Sequence, residues 1–407
     1  MMKHSRKKYT YRMAVAFTAS ALAAAAPMTA LAAKNHPDDN AYQAPEAPAP
    51  DYNKDLSPEF AYSSDKWASL RDNVMEYGEL PDLIHEYNPT VRSNRSIYND
   101  QKNKDLNDVY EAYMDDIDDI WTQADNAEDD VTWASLKYTA GLLTKQADNN
   151  YQDADMEKIQ YDQAEAKLSY QAQQMMVSLE QSQYNLEDLQ NGKRLLETQL
   201  AFTQAQQSVG MATQMDVLTS QKALQDQEAA ILAAQKTQDN VHRNLCMMLG
   251  WGADASPEIK AVPEPDLSRI DAMNPEADAQ TAIANNYDVK YYEKKAGNLS
   301  STDLQEANAV SIQNAKDTAV RSLKGQYNTV LTARDALAAA EAKVIVETNN
   351  LNKAAASRAV GQMTELQYQT AENAQLAAQN DVKTKKLQLL LAMEAYDWNV
   401  KGLTTSN

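Results

Sequence analysis

Residues that interrupt helices are scarce in this 407-residue sequence, which contains only 10 glycines and 12 prolines. All 12 prolines lie within residues 27–89 or 257–275, so residues 90–256 and 276–407 contain none. Proline ends or kinks a helix because it lacks a backbone N–H and its ring clashes with the preceding turn. The scarcity is untypical of a mixed fold and predicts an all-α fold with very long helices.

Cysteine is limited to Cys246, which has no partner for an intramolecular disulfide. Its place in the apolar run Leu245–Leu249 is far from the N-terminus, which argues against a lipoprotein-type acylated N-terminus. We interpret Cys246 as a packed apolar side chain rather than a reactive thiol.

Long apolar runs are absent beyond the first 32 residues, and a membrane-spanning helix needs about 18 or more apolar residues. Residues 1–32 combine five basic residues, a small apolar stretch and the sequence Ala30-Leu31-Ala32, which is the pattern of a cleaved signal peptide. We predict a signal peptide at 1–32 and therefore an exported protein. A retained N-terminal membrane anchor is the alternative.

Positive charge is also in short supply, with 38 Lys and Arg against 58 Asp and Glu and a net charge of −20. Residues 1–32 carry five of the basic residues and no acidic ones, so their removal gives −20 − 5 = −25. A chain this acidic is repelled by a phosphate backbone, which excludes nucleic acid as a partner.

Motifs of catalytic and metal sites are missing as well. The sequence has no glycine-rich phosphate loop, no G-x-S-x-G nucleophile motif and no Cys/His cluster. The histidines that follow residue 32 are His36, His85 and His242, which are too scattered to suggest a metal site or a general base. We predict that the protein is not an enzyme and uses no metal and no cofactor.

An acidic cluster lies within residues 97–150 and raises the question of calcium binding. It lacks the glycine and the terminal glutamate of an EF-hand loop, so a solvated helical face is the favoured interpretation. Its members are Asp115, Asp116, Asp118, Asp119, Asp125, Glu128, Asp129 and Asp130.

Two of the few glycines occur in the same short motif, V-G-x-x-T, at residues 209–213 and 360–364. Their glycines are 361 − 210 = 151 positions apart. Each motif opens a proline-free arm of about 40 residues that ends at another glycine, Gly250 or Gly402. The pattern predicts an internal duplication, and internal repeats decide the architecture of a chain.

The duplication predicts two helical hairpins in one chain. By residue number, the predicted organisation is a signal peptide at 1–32, a Pro-rich linker at 33–65, a first helical hairpin repeat at 66–250, an inter-repeat linker at 251–277, a second helical hairpin repeat at 278–402 and a tail at 403–407.

Each repeat is predicted to contain one long helix that rises to its V-G-x-x-T turn and a second that returns. The rising helices are predicted at Asp155–Ser208 and Asp303–Arg358. The return helix of the first repeat is predicted to begin near Gln214, and that of the second repeat is predicted to end near Val400. Apolar residues between Met175 and Leu200 step by four and three positions, which is the spacing of a coiled-coil seam. A helix of about 80 Å cannot bury such a stripe against itself, so we predict antiparallel pairing and self-association.

Shorter helices are predicted at Lys66–Tyr77, Leu80–Tyr87 and Gln280–Tyr292. The first repeat is the longer one: 210 − 88 = 122 positions separate Asn88 from its turn glycine, against 361 − 286 = 75 from Asn286. The surplus of about 47 residues falls mostly in the acidic stretch 97–150.

Four features of the repeats occur together: an Asn88-Pro89 start, a V-G-x-x-T-x-x-D-V-L tip, a return arm that ends in Leu249-Gly250 and a Pro-rich link between the halves. In this combination the sequence resembles the TolC-like outer membrane efflux proteins, over nearly all of residues 80–402. The best-matching segment is Gly210-Met211-Ala212-Thr213-Gln214-Met215-Asp216-Val217-Leu218.

The resemblance implies a homotrimer whose long hairpins close into a hollow TolC-like α-barrel across the periplasm. It implies that the hairpin tips bind a membrane fusion adaptor, and through it an inner membrane transporter of an efflux or secretion system. An exported protein of the cell envelope, in the outer membrane or the periplasm, is therefore expected. The tip residues expected to meet the adaptor are Val209, Gly210, Met211, Ala212, Thr213, Asp216, Val217, Val360, Gly361, Gln362, Met363, Thr364, Glu365 and Leu366.

Two departures limit the resemblance. The outer membrane strands of the family are weak or absent, because residues 97–150 have a helical pattern and residues 298–322 continue into the second long helix. The acidic tip residues of many family members are replaced by Gln367 and Thr370, which leaves Asp216 at the first tip. A second hypothesis is therefore a coiled-coil structural protein of the cell envelope that transports nothing.

Overall fold

The computed structural model of the chain describes residues 62–405, which are mostly helical. The predicted signal peptide at 1–32 and nearly all of the predicted linker at 33–65 lie outside the described residues. The helices of the first half are α1 Ser64–Leu70, α2 Leu80–Tyr87, α3 Pro89–Gln101, α4 Leu106–Asp125, α5 Asp130–Asp148, α6 Ala154–Ser208 and α7 Gln214–Met248. Those of the second half are α8 Ser268–Ala272, α9 Pro275–Asn285, α10 Tyr287–Asn298, α11 Thr302–Ala359 and α12 Glu365–Val400.

The four longest helices lie side by side in the order α7, α6, α12, α11. Helix α6 packs along α7, α11 packs along α12, and α6 also packs against α12. Among the long helices of residues 62–405, α7 and α11 therefore pack along one long neighbour each. At 55 and 58 residues, α6 and α11 are each roughly 80–90 Å long.

The contact between α6 and α12 is antiparallel, which fixes the positions of the two hairpin turns. The Trp398 indole N–H donates to Gln173 at 2.7 Å, and the Asn380 amide donates to Asp188 at 2.7 Å. Residue numbers rise along α6 while those of their partners fall along α12. The turn after α6 and the turn before α12 consequently lie at the same end of the molecule.

The seam predicted along α6 is buried between its helical neighbours. Leu179 and Leu186 are 6% and 8% exposed, and Met175, Leu189 and Leu196 are half-buried. Burial of one leucine side chain stabilises a fold by about 1.5–3 kcal/mol. A stripe of this length therefore explains why the long helices occur as hairpins and not singly.

Glycines with a left-handed backbone end the return helices α7 and α12. Gly250 has φ 86° and Gly402 has φ 105°, a region that residues with a Cβ rarely occupy. After each glycine the chain folds back on the helix: the N–H of Trp251 donates to the Cys246 carbonyl and that of Leu403 to the Trp398 carbonyl, both at 2.8 Å. This Schellman cap stops each return helix at a fixed residue.

Two buried asparagines connect the start of each hairpin to its end. Asn88 caps α3 by accepting the N–H of Val91, and its side-chain amide donates to the Met248 carbonyl at 2.8 Å. Asn286 caps α10 in the same way, and its amide donates to the Gly402 carbonyl at 3.2 Å. The two halves thus use the same device at corresponding places.

The largest core lies at the end of the molecule away from the two turns. It holds α1 and α2 against α6, α7 and α12, and its fully buried residues include Leu70, Met75, Leu80, Leu83, Ile84, Met176, Leu245 and Leu249. A parallel pair of two-residue strands crosses this core, with Val74 of β1 (Val74–Met75) opposite Glu258 of β2 (Glu258–Ile259). The segment between the hairpins is thereby attached to the start of the described chain.

Two of the predicted short helices are wrong in their bounds. Helix α1 ends at Leu70 instead of continuing to Tyr77, because Asp72 accepts the N–H of Val74 and turns the chain into strand β1. The helix predicted at Gln280–Tyr292 is two helices, because Asn286 ends α9 and caps α10.

The surplus of the first repeat forms a separate helical hairpin, α4 and α5, between α3 and α6. The corresponding helices α10 and α11 are separated only by residues 299–301. Tyr113 and Ile117 of α4 pack against Ala140 and Ala147 of α5. The acidic stretch therefore adds a hairpin and does not lengthen the long helices. None of the described helices is both long enough and apolar enough to span a bilayer.

We expect Gly402→Ala to lower the free energy of unfolding by about 3 kcal/mol, because an added Cβ would lie 2.2 Å from the Asn285 carbonyl oxygen in a left-handed backbone. Gly297→Ala is the matched control, since it lies in helix α10 with no atom within 4 Å of the new Cβ. Alanine has a higher helix propensity than glycine, so Gly297→Ala should not lower the free energy of unfolding. Urea unfolding followed by circular dichroism measures both, and equal effects would contradict the role of Gly402.

Candidate functional site at the hairpin tips

The first tip, residues 207–218, is a tight turn held by its own backbone. Gly210 has φ 77°, and the N–H of Met211 donates to the Gln206 carbonyl at 2.8 Å. Thr213 then caps α7: its hydroxyl accepts the N–H of Asp216, and the Asp216 carboxylate accepts the N–H of Thr213 at 2.7 Å. This capping box makes Thr213 the N-cap of α7.

The second tip, residues 358–369, repeats the arrangement with one change of charge. Gly361 has φ 73°, and the N–H of Gln362 donates to the Ser357 carbonyl at 2.9 Å. Thr364 caps α12 in a capping box whose other member is Gln367, at 3.0 Å. An uncharged amide therefore stands where the first tip has a carboxylate.

A side-chain pair bridges the two helices just above each turn. At the first tip the Gln207 amide donates to Gln214 at 2.6 Å. At the second tip Arg358 forms a 2.6 Å ion pair with Glu365 and also lies over the ring of Tyr368 at 4.5 Å. The one acidic residue predicted at the second tip is therefore neutralised by a neighbour.

Exposed apolar surface is concentrated at the first tip. Val209, Met211 and Met215 are 69%, 76% and 69% exposed, whereas Val217 packs inward at 7%. At the second tip Val360 is 68% exposed, and Met363 and Leu366 are half-buried. Ala212 is half-buried, and Gln362 and Glu365 are exposed. All the predicted tip residues thus lie at one end of the molecule, but the two turns differ in apolarity.

The hydrogen bonds of the capping box determine the electrostatics of the first tip. The N–H and hydroxyl of Thr213 hold the pKa of the Asp216 carboxyl below its usual value, because both donate to the charged form. Asp216 therefore stabilises the turn as well as carrying charge at the tip.

The cysteine and the acidic cluster noted in the sequence lie away from the tips. Cys246 is buried, and desolvation raises the pKa of its thiol to about 11, as suits a packed side chain. The aspartates of the acidic cluster on α4 lie on its exposed face. Within residues 62–405, no group of three or more His, Cys, Asp and Glu residues could hold a metal ion.

A buried polar cluster that no sequence pattern predicts lies at the end of the molecule opposite the tips. The His85 ring lies 2.7 Å from the Glu165 carboxylate, and burial raises the pKa of the adjacent Glu86. Arg95 donates to the His85 carbonyl. His85 and Glu165 are 80 positions apart, so no local pattern could have brought them together.

Known proteins resemble this chain in their fold. No protein-family profile matches the chain, and no curated protein matches it in sequence. A solved structure of a membrane protein from Pseudomonas aeruginosa is 13% identical over 80% of this chain and 93% of its own, with a TM-score of 0.51. CusC, whose structures concern folding and transmembrane channel formation, is 9% identical over 80% of this chain and 92% of its own, also with a TM-score of 0.51.

The chain has a TolC-like fold. The all-α prediction of long antiparallel hairpins is confirmed by the helices and by these two structures. Both turns lie at one end of this fold, which is the end that the sequence predicts to meet a partner.

Acidification should loosen the capping box of the first tip and leave the capping box of the second tip, which has no titratable group, unchanged. Because the pKa of Asp216 is lower in the folded state, its stabilisation is present above the unfolded pKa of about 3.9 and is lost as the pH falls through the folded value. Hydrogen exchange at the first turn of α7, corrected for intrinsic rates, should rise between about pH 5 and pH 2.5. The first turn of α12, capped with Gln367, is the control when Glu365, the partner of Arg358, is replaced by the non-titrating Gln in Glu365→Gln.

The variant Asp216→Asn should abolish this pH dependence, because an amide does not titrate in the range. If the variant loosened with acid as the wild type does, another group would be responsible.

Proposed function

We propose that the chain is the channel component of an efflux or secretion system. In this proposal three copies close into a helical tube, and the hairpin tips bind a membrane fusion adaptor that connects them to an inner membrane transporter. The carrying observation is the order α7, α6, α12, α11 with both tips at one end. The fold shared with CusC, a protein described for its transmembrane channel, supports the same assignment.

The two outer helices support closure into a ring. Helix α7 presents Leu218 and Leu232, which are 49% and 53% exposed, and α11 presents Ile345 and Val346, which are 65% and 55% exposed. The free edges belong to different helices, so a contact between copies joins α7 of one to α11 of the next. Such a head-to-tail contact makes a closed ring when the rotation permits. Three copies, as the resemblance implies, supply twelve long helices.

The tips support adaptor binding because they combine exposed apolar side chains with a fixed backbone. Methionine side chains such as Met211 and Met215 are flexible and polarisable, which suits a protein contact surface. The capping boxes hold both turns in one conformation, so binding costs little ordering of the backbone. The first tip, with more exposed apolar surface, is proposed to contribute more of the contact.

The location proposed for the chain follows from the same assignment. The predicted signal peptide at 1–32 exports the protein to the cell envelope, where the tube lies in the periplasm or reaches the outer membrane. Its net charge of −20 argues against nucleic acid, and catalysis plays no part in the proposal.

Deletion of the gene should increase sensitivity to at least one toxic compound or block secretion of a protein, and the wild-type chain should restore the phenotype. Met211→Asp should restore it poorly, because a charge at the 76% exposed tip position opposes an apolar contact. Val310→Asp is the matched control: Val310 is 61% exposed and lies near the other end of α11.

Growth across a panel of compounds and the secreted proteome measure the outcome. Equal restoration by both variants would argue against the tip contact. A deletion that changes envelope morphology but neither tolerance nor secretion would favour the coiled-coil structural protein.

A further inference from the structure

A cleft of about 650 Å³ lies at the end of the molecule opposite the tips, bounded by α2, α3, α6, α10 and the last turn of α12. Its size falls in the range of small-molecule sites. Ala166, in its floor, is 210 − 166 = 44 residues before the turn glycine, which is roughly 65 Å along α6. The cleft is therefore separate from the proposed adaptor contact.

Aromatic rings line the cleft, and each of three has a lysine ammonium above it. Lys290 lies 5.6 Å from the ring centre of Tyr287, and Lys401 lies 5.0 Å from that of Trp398. A third pair, Lys158 over Tyr98 at 5.9 Å, lies on the far wall. The walls thus offer flat apolar surface with positive charge beside it.

The carboxylates of the cleft all have nitrogen partners of their own. The pairs are Asp82 with Lys66 at 2.8 Å, Asp162 with Lys158 at 2.6 Å and Glu165 with His85 at 2.7 Å. Neither Lys290 nor Lys401 takes part in an ion pair among the described residues, although Asp162 lies near Lys290, and Glu394 and Asp397 lie near Lys401. Their ammonium groups are therefore free of direct carboxylate contact and can meet an anion in the cleft.

A serine hydroxyl also lies in the wall of the cleft. Ser169 lines the cleft and is 3% exposed. A hydroxyl can donate to an acceptor oxygen, so Ser169 offers a hydrogen-bond donor to a ligand that carries one.

We propose that this cleft binds an amphipathic organic anion, with a flat apolar body between the aromatic walls and a carboxylate or sulfonate group near Lys290 and Lys401. Stacking on the rings removes apolar surface of the ligand from water. The two ammonium groups select the anion over a neutral molecule of the same shape. The site requires no adaptor and does not depend on the channel assignment.

Fluorescence titration of the full chain with 8-anilinonaphthalene-1-sulfonate tests the proposal, with the neutral probe N-phenyl-1-naphthylamine titrated in parallel. The double variant Lys290→Gln/Lys401→Gln removes the two charges and keeps the stems of similar length. The control, Lys343→Gln/Lys353→Gln, removes two charges from exposed positions of α11.

The cleft variant should bind the sulfonate about tenfold more weakly, as expected for the loss of two partly exposed ion pairs, and bind the neutral probe unchanged. The control should bind both probes as the wild type does. The proposal is overturned if the cleft variant retains wild-type affinity for the sulfonate, if both double variants weaken it equally, or if the neutral probe is weakened to the same extent.

Discussion

A helix of 55 residues buries an apolar stripe only where another helix runs beside it, and the architecture follows from this constraint. Helix α6 satisfies it with α7 on one side and α12 on the other, whereas α7 and α11 are each covered along one side only. The capped turns after Ser208 and Ala359 allow each helix to return without loss of register. The single chain is thus a layer with two uncovered edges, and that incompleteness is the physical basis of the assembly we propose.

Much of this layer could be predicted from the sequence because its signals are local. The bounds predicted for the two rising helices are within one residue of the observed ones. The predictions are Asp155–Ser208 for α6 and Asp303–Arg358 for α11. Proline is absent from both segments, an N-cap residue stands before each return helix, and a glycine with left-handed φ ends it. Capping depends on residues within one helical turn, so the local sequence predicts where these helices begin and end.

The two candidate sites can be predicted from the sequence to different degrees for the same reason. The tip turns are local, so the sequence predicts which residues form them, but the burial of Leu366 and the ion pair of Glu365 with Arg358 depend on packing across the turn. The cleft joins residues of α3, α6, α10 and α12, each group at least 158 − 98 = 60 positions from the next, and no periodicity brings them together. The end of α1 has a local signal, because Asp72 accepts the N–H of Val74 and turns the chain into β1, but the pairing of β1 with the distant strand β2 has none.

The central claim is that the α7 edge of one copy meets the α11 edge of the next, and disulfide cross-linking tests it most directly. Ala229→Cys and Ala342→Cys place exposed thiols on the two edges, 229 − 210 = 19 and 361 − 342 = 19 residues from their turn glycines. Native Cys246 is buried and should not react. Mild oxidation of the double variant should give species of up to three linked chains, whereas Ala229→Cys with Ala309→Cys, 361 − 309 = 52 residues from the turn, should not. A double variant that remains a single chain after oxidation would contradict the account.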